Sequence, residues 1–221
     1  MPKALITGGS RGLGRALTNA LVERGWVVVV DGRRESDVDA IVRDGVIGVP
    51  GDVTDEDHRQ ALRTVIRELD GVDLLVNNAG ALGPSPLPAL ADVAMEDLRQ
   101  VYEVNVFAPL AMAQLVPATA MIVNISSDAA VEAYAGWGLY GSSKAALDQM
   151  SAVLGVEHSD NRVYAFDPGD MRTEMHASAF PGEDISDRPL PESVVPAFLR
   201  LIAGDLPSGR YRVGDLAGGE S

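Results

Sequence analysis

Seven short runs of β-branched and aliphatic residues constrain this chain more than any other feature of it. They are Lys3–Thr7, Trp26–Asp31, Val46–Pro50, Val72–Val76, Met121–Ile125, Arg162–Phe166 and Arg210–Val213. Most lack polar alternation, so the strands they predict have no face written for water, as in a parallel sheet covered on both sides. Helical patterns lie between them. Gly12–Arg24 puts Leu13, Ala16, Leu17, Ala20 and Leu21 on one face. Asp55–Leu69 does the same with Leu62, Val65, Ile66 and Leu69, with Thr54 or Asp55 available as N-cap. Strands alternating with helices predict an α/β fold, a parallel sheet with right-handed crossovers. The pattern resumes after the stiff Pro84, Pro86, Pro88 loop and after the Pro- and Gly-containing segment 180–191. The chain of 221 residues therefore reads as one domain, 1–221.

Composition narrows the partners. With 32 acidic against 18 basic side chains the net charge is -14, which disfavours nucleic acid and anionic membrane surfaces. Cysteine is absent, so disulfides and thiolate chemistry are excluded. His58, His158 and His176 show no metal-ligand spacing and read as surface residues; no metal is expected. Met1-Pro2-Lys3 leads straight into an apolar strand, with no leader pattern and no run long enough to span a bilayer, so the expected location is cytoplasmic.

The first strand ends in Thr7-Gly8-Gly9-Ser10-Arg11-Gly12-Leu13-Gly14, and a helix follows. Glycines let backbone approach a pyrophosphate, and the free N–H groups of a helix start stabilise its charge. The spacing is T-G-x-x-x-G-x-G rather than G-x-G-x-x-G. Further along stand Asp52-Val53, Asn77-Asn78-Ala79-Gly80, Val104-Asn105-Val106, Asn124-Ile125-Ser126-Ser127, Tyr140-Gly141-Ser142-Ser143-Lys144 and Pro168-Gly169-Asp170-Met171-Arg172-Thr173, most of them just beyond a predicted strand. A tyrosine four residues before a lysine shares its helical face, and a nearby ammonium favours phenolate over phenol. Each element alone is weak, since Tyr-x-x-x-Lys occurs by chance in many helices.

Together and in this order they resemble the short-chain dehydrogenase/reductase family over nearly the whole chain. The resemblance implies a Rossmann-like doubly wound sheet of order 3-2-1-4-5-6-7. It implies an oxidoreductase that passes a hydride between a nicotinamide cofactor and a carbonyl or alcohol carbon. On the positions that match, Tyr140 is the general acid/base, Lys144 lowers its pKa and bonds the nicotinamide ribose, and Ser127 holds the substrate oxygen. Ser127 is preferred to Ser126 because it lies thirteen residues before the tyrosine. Asn105 orders a water leading from Lys144 to solvent.

The cofactor falls to Gly8, Ser10, Arg11, Gly12, Leu13, Gly14, Arg33, Asp52, Val53, Asn78, Ala79, Gly80, Tyr140, Lys144, Pro168, Gly169, Met171 and Thr173. Gly32 stands where NAD users of the family carry an acid, while Arg33 and Arg11 stand where NADP users carry bases. NADP is therefore preferred, with NAD left open by Asp31 one position early.

A substrate lid is expected near 174–191, lined by Met175, His176 and Phe180; Trp137 either reaches the pocket or belongs to the core. Asp170 either faces the substrate or, the preferred reading, caps the helix that follows. The stretch from Asn105 to Ser127 is shorter than usual, with Pro117 expected to end its helix. The resemblance still implies a homodimer or other homo-oligomer. The competing reading is a non-catalytic NAD(P)-binding sensor or structural protein on the same fold.

Overall fold

The structure is a computed structural model and describes residues 1–157 and 161–216. Strands β1 (Lys3–Ile6), β2 (Val27–Gly32), β3 (Val46–Pro50), β4 (Leu74–Asn77), β5 (Met121–Ile125), β6 (Val163–Asp167) and β7 (Gly209–Arg212) form one parallel sheet of order β3-β2-β1-β4-β5-β6-β7. The helices are α1 (Gly12–Val22), α2 (Glu35–Asp39), α3 (Glu56–Glu68), α4 (Met95–Tyr102), α5 (Ala108–Ala113), α6 (Gly138–Glu157), α7 (Glu174–Ala179) and α8 (Val195–Ala203).

Strand parity explains the unbroken apolar runs. Ala4, Ile6, Val28 and Val30 face α1 and α8, packing on Leu13, Leu17, Leu21, Phe198 and Leu201. Leu5 and Val29, the intervening residues, face α3 and α5 and pack on Leu62, Ile66 and Met112. Every side chain of such a strand meets a helix, so none needs to be polar. Asp55 caps α3, its side chain accepting from Asp57 N at 2.9 Å.

Two local expectations shift. The helix before β5 stops at Ala113 with Gln114 as its cap, short of Pro117, so the proline does not end it. Between α4 and α5, Glu103–Phe107 winds as a π-helical turn containing Asn105. Such a wide turn inserts an extra residue into a helix and commonly marks a functional site. Strand order reverses between β1 and β4, which leaves a crevice at their carboxyl ends. Among the described residues no helix is long and apolar enough to cross a membrane.

Candidate active site

That crevice is a cleft of about 1180 Å³, larger than the roughly 300–1,000 Å³ typical of small-ligand pockets. At one end lie Ser10, Arg11, Arg33, Arg34 and Val53; at the other lie Ser127, Trp137, Tyr140 and His176. The cofactor and catalytic residues expected from the sequence thus line a single cavity, with two exceptions: Asn105 and Gly14 lie just behind its wall.

The glycine turn is built for close approach. Gly8 and Gly12 take φ of 61° and 51°, where a side chain would be strained. A Cβ on Gly14 would run into Gly8 O and lie 2.6 Å from Asn78 Nδ2, so only glycine lets α1 start against the loop. A Cβ at Gly12 would meet nothing nearer than Thr173 Cγ2 at 3.8 Å, which leaves space above the helix start. Arg11, the N-cap of α1, makes no side-chain cap, so the first N–H groups keep no side-chain acceptor. A dinucleotide pyrophosphate fits this cradle.

Thr7 ties the cradle to the next loop and was missed in the sequence. Its Oγ1 accepts from Asn78 N and Ala79 N, both at 3.0 Å, while Asn78 Nδ2 donates back to Thr7 O at 2.9 Å. Asn77 points the other way, into the sheet, donating to Asn124 Oδ1 at 2.7 Å.

His58 corrects the surface reading. It is buried, and its Nε2 lies 3.3 Å from Asp31 Oδ2, whose other oxygen accepts from Gly8 N at 2.6 Å. Burial raises the Asp31 pKa; the bonds from His58 and Gly8 pull it down. Asp31 is therefore committed beneath the glycine loop. His176 is also largely covered, packed against Phe180 with ring centroids 4.9 Å apart and the planes tilted by 42°. His158 lies outside the described residues.

Tyr140 and Lys144 stand one turn apart near the start of α6, with Lys144 Nζ 5.6 Å from the phenol ring centroid. Both are buried. Burial pushes the Tyr140 pKa up; Ser127 opposes through a hydrogen bond, and the carboxylates of Asp128 and Asp167 add to the rise. Lys144 is brought down to about 8 by burial, against the pull of Asp148. Its ammonium donates to Ile125 O at 2.8 Å. With no cofactor beside it, desolvation of the phenolate is the largest influence on Tyr140, and it acts against the lowering expected from Lys144.

Ser127 Oγ donates to Asp128 Oδ1 at 3.0 Å and accepts from Ala129 N at 3.2 Å. Ser126 is buried with its Oγ unpartnered. Asn105 is fully committed: Oδ1 accepts from Ala81 N at 2.8 Å, and Nδ2 donates to Ala81 O at 2.8 Å and Ser143 Oγ at 2.9 Å. The π-helical turn aims that amide at the loop after β4.

Arg210 on β7, also missed in the sequence, braces the floor. It bonds Asp148 Oδ2 at 2.9 Å, Asp167 Oδ2 at 2.8 Å and Ser127 O at 3.0 Å. It thereby joins α6, the end of β6 and the backbone of Ser127.

Asp170 does not cap α7. Thr173 does, accepting from His176 N at 3.2 Å, because it stands at the extended residue before the first turn. Asp170 instead lies 3.8 Å from both His176 Nδ1 and Arg188 Nε. Within the expected lid, Met175 and His176 line the cleft, and Arg11 is ion-paired to Glu174. Phe180 backs Trp137, which meets the Tyr140 ring edge-on at 5.8 Å between centroids.

Comparison with known proteins agrees with this geometry. A family model described as short chain dehydrogenase matches residues 2–184. The chain is 35% identical over 183 residues to serine 3-dehydrogenase of Agrobacterium fabrum, covering 77% of this chain and 72% of that one. It is 35% identical over 190 residues to L-xylulose reductase of Bos taurus, covering 80% and 75%. A short chain dehydrogenase from Shigella flexneri, solved in complex with NADP, is similar in structure with a TM-score of 0.88 and 26% identity over 96% of this chain and 97% of that one. An oxidoreductase from E. coli is similar with a TM-score of 0.87 and 27% identity, over 96% and 93% of the two chains.

Proposed function

This chain belongs to the short-chain dehydrogenase family, and from that premise we propose that it interconverts a carbonyl and an alcohol with NADP(H) as hydride partner, a reaction on CH–OH groups. The observation that carries the reading is convergence: Ser127, Tyr140 and Lys144 lie at one end of the cleft whose other end is the glycine cradle. When bound, the nicotinamide supplies or accepts the hydride.

The chain's own groups handle the oxygen. Without cofactor or substrate, burial and the carboxylates near it hold Tyr140 as a neutral phenol, which carries the proton that a carbonyl oxygen takes up as it gains charge. Ser127 offers a second hydrogen bond to the same oxygen, after letting go of Asp128. Lys144 has spent one N–H on Ile125 O, leaving others for the ribose and for the phenol side. Asn105 shares the surroundings of Gly80 with Lys144: a Cβ on Gly80 would lie 3.6 Å from Asn105 Oδ1 and 3.8 Å from Lys144 Nζ. Its side-chain amide being committed, any water it orders toward Lys144 is held by its backbone.

NADP is the favoured cofactor on a specific ground. Asp31 is turned inward to Gly8 and His58, and Gly32 closes the strand without a side chain, so no carboxylate from β2 is offered to a ribose 2'-hydroxyl. Arg33 and Arg34 are exposed at that end of the cleft, with Arg11 beside them. Cationic forks suit a 2'-phosphate. The structure solved with NADP is of a related protein. A homodimer or other homo-oligomer accords with the exposed Phe107, Val153 and Val156, and a cytoplasmic setting with the acidic, cysteine-free composition.

The test is a titration of NADPH and NADH by nicotinamide fluorescence, then turnover of a panel of aldehydes and ketones, for the native protein and Tyr140→Phe. The reading expects tighter NADPH binding, turnover by the native protein, and binding without turnover in the variant. Binding without turnover by the native protein across the panel would point to the sensor alternative.

A further inference from the structure

Ser127 is followed by a carboxylate to which the reaction outlined above gives no contact with substrate. Asp128 is half-buried and lines the substrate end of the cleft. Its Oδ1 accepts from Ser127 Oγ at 3.0 Å and from Ala129 N at 2.8 Å; its Oδ2 faces the Tyr134 hydroxyl at 3.0 Å. Two other carboxylates of the cleft, Asp167 and Asp170, have cationic company. Asp167 is paired with Arg210 at 2.8 Å, and Asp170 lies 3.8 Å from Arg188. Among the described residues Asp128 forms no ion pair.

We propose that Asp128 is the specificity-determining residue of this site, and that it selects substrates carrying an ammonium group on the carbon next to the reacting one: vicinal amino alcohols and the matching amino ketones. The inference rests on the oxidoreductase reading, since it takes Ser127 to hold the reacting oxygen. The serine hydroxyl and the carboxylate are immediate neighbours. An oxygen and an ammonium on adjacent carbons present the complementary pair at a similar separation. A carboxylate in the ammonium's place would set two like charges together in a half-buried site, on a chain whose net charge is already -14.

The arrangement also couples recognition to chemistry. Asp128 is one of the groups that raise the Tyr140 pKa. A cation seated against Asp128 offsets that influence, so the preferred substrate brings the phenol closer to a usable range as it binds. A neutral substrate leaves it in place.

The experiment compares kcat/KM, with NADP⁺, for four alcohols of one skeleton: isopropanolamine, sec-butanol, propylene glycol and lactate. Native protein is set against Asp128→Asn, which keeps the shape and an acceptor for Ser127. The native protein is expected to favour isopropanolamine over sec-butanol by about tenfold or more, as a charge-assisted contact gives, with lactate poorest. In the variant that ratio falls to near one. A ratio taken within one protein is insensitive to a general loss of activity from a disturbed Ser127.

An unchanged ratio, or native preference for sec-butanol, propylene glycol or lactate, overturns the inference while leaving the oxidoreductase reading in place. Should none of the four turn over, the NADP⁺-loaded Tyr140→Phe protein is titrated calorimetrically with isopropanolamine and sec-butanol. Binding of the amine alone, abolished by adding Asp128→Asn, supports the amine site whatever the fate of the reaction. Equal or absent binding of both overturns it.

Discussion

Replacing Lys144 with methionine should make this protein more stable and inactive together. Lys144 is 3% exposed, and burial brings its ammonium from 10.5 to about 8. At about 1.4 kcal/mol for each tenfold change, keeping the charge in the fold costs roughly 3 kcal/mol. Methionine of similar length removes that cost but leaves Ile125 O without its 2.8 Å donor, a loss of about 1–2 kcal/mol. The net gain is about 1–2 kcal/mol, equivalent to a rise in Tm of roughly 3–6 °C for a domain of this size.

The pH dependence fixes the cause. The folded pKa lies below the unfolded one, so the cost is fully present below about 8 and fades as pH climbs toward 10.5. Scanning calorimetry of the two proteins, without cofactor, should show the variant melting higher near neutral pH. The gap should narrow as pH climbs from about 8 toward 10.5. A variant that melts lower near neutral pH, or a gap indifferent to pH, would refute the reasoning.

Three further outcomes follow from other contacts. Gly14→Ala forces a Cβ against Gly8 O and Asn78 Nδ2, so fluorescence titration should show NADPH binding weakened by at least about tenfold, as expected when a cradle that binds through backbone N–H groups is displaced; native affinity would contradict the cradle. Arg210→Met leaves Asp148 and Asp167 without their shared counter-charge and should lose roughly 3 kcal/mol in urea unfolding; a loss under about 1 kcal/mol would show the brace to be unimportant. His58→Leu leaves Asp31 buried with only the Gly8 N–H and should cost about 2–3 kcal/mol near neutral pH. Because the Asp31 pKa is already raised by burial, that loss should shrink as pH falls and the carboxyl protonates, and Asp31→Asn in the same background should recover part of it.

The sheet was legible because burial on both faces writes itself into consecutive residues. Val27 to Val30 carry no polar member, and the structure places Val28 and Val30 against α1 and Val29 against α3. Tyr140 and Lys144 were legible because one helix holds both, so sequence spacing is spatial spacing. The pairs that escaped join residues distant in sequence: His58 with Asp31, and Arg210 with Asp148 and Asp167. Nothing local marks such a contact, since each member alone is an ordinary surface residue type. Asp170 misled for the opposite reason: a cap residue was looked for, and Thr173 three positions on did the capping. Counting charges along a helix gives the sign of Lys144's pull on Tyr140 but leaves out desolvation, which in the cofactor-free chain is the largest influence.

The most direct measurement follows the hydride itself. NADPH deuterated at the transferring nicotinamide carbon is incubated with a reducible ketone and the native protein, and the alcohol is weighed by mass spectrometry. One deuterium per alcohol, on the carbinol carbon, formed by the native protein and not by Tyr140→Phe, is the predicted result. Alcohol without deuterium, or deuterated alcohol formed equally well by the variant, would contradict the central claim that this cleft joins cofactor and substrate across Tyr140.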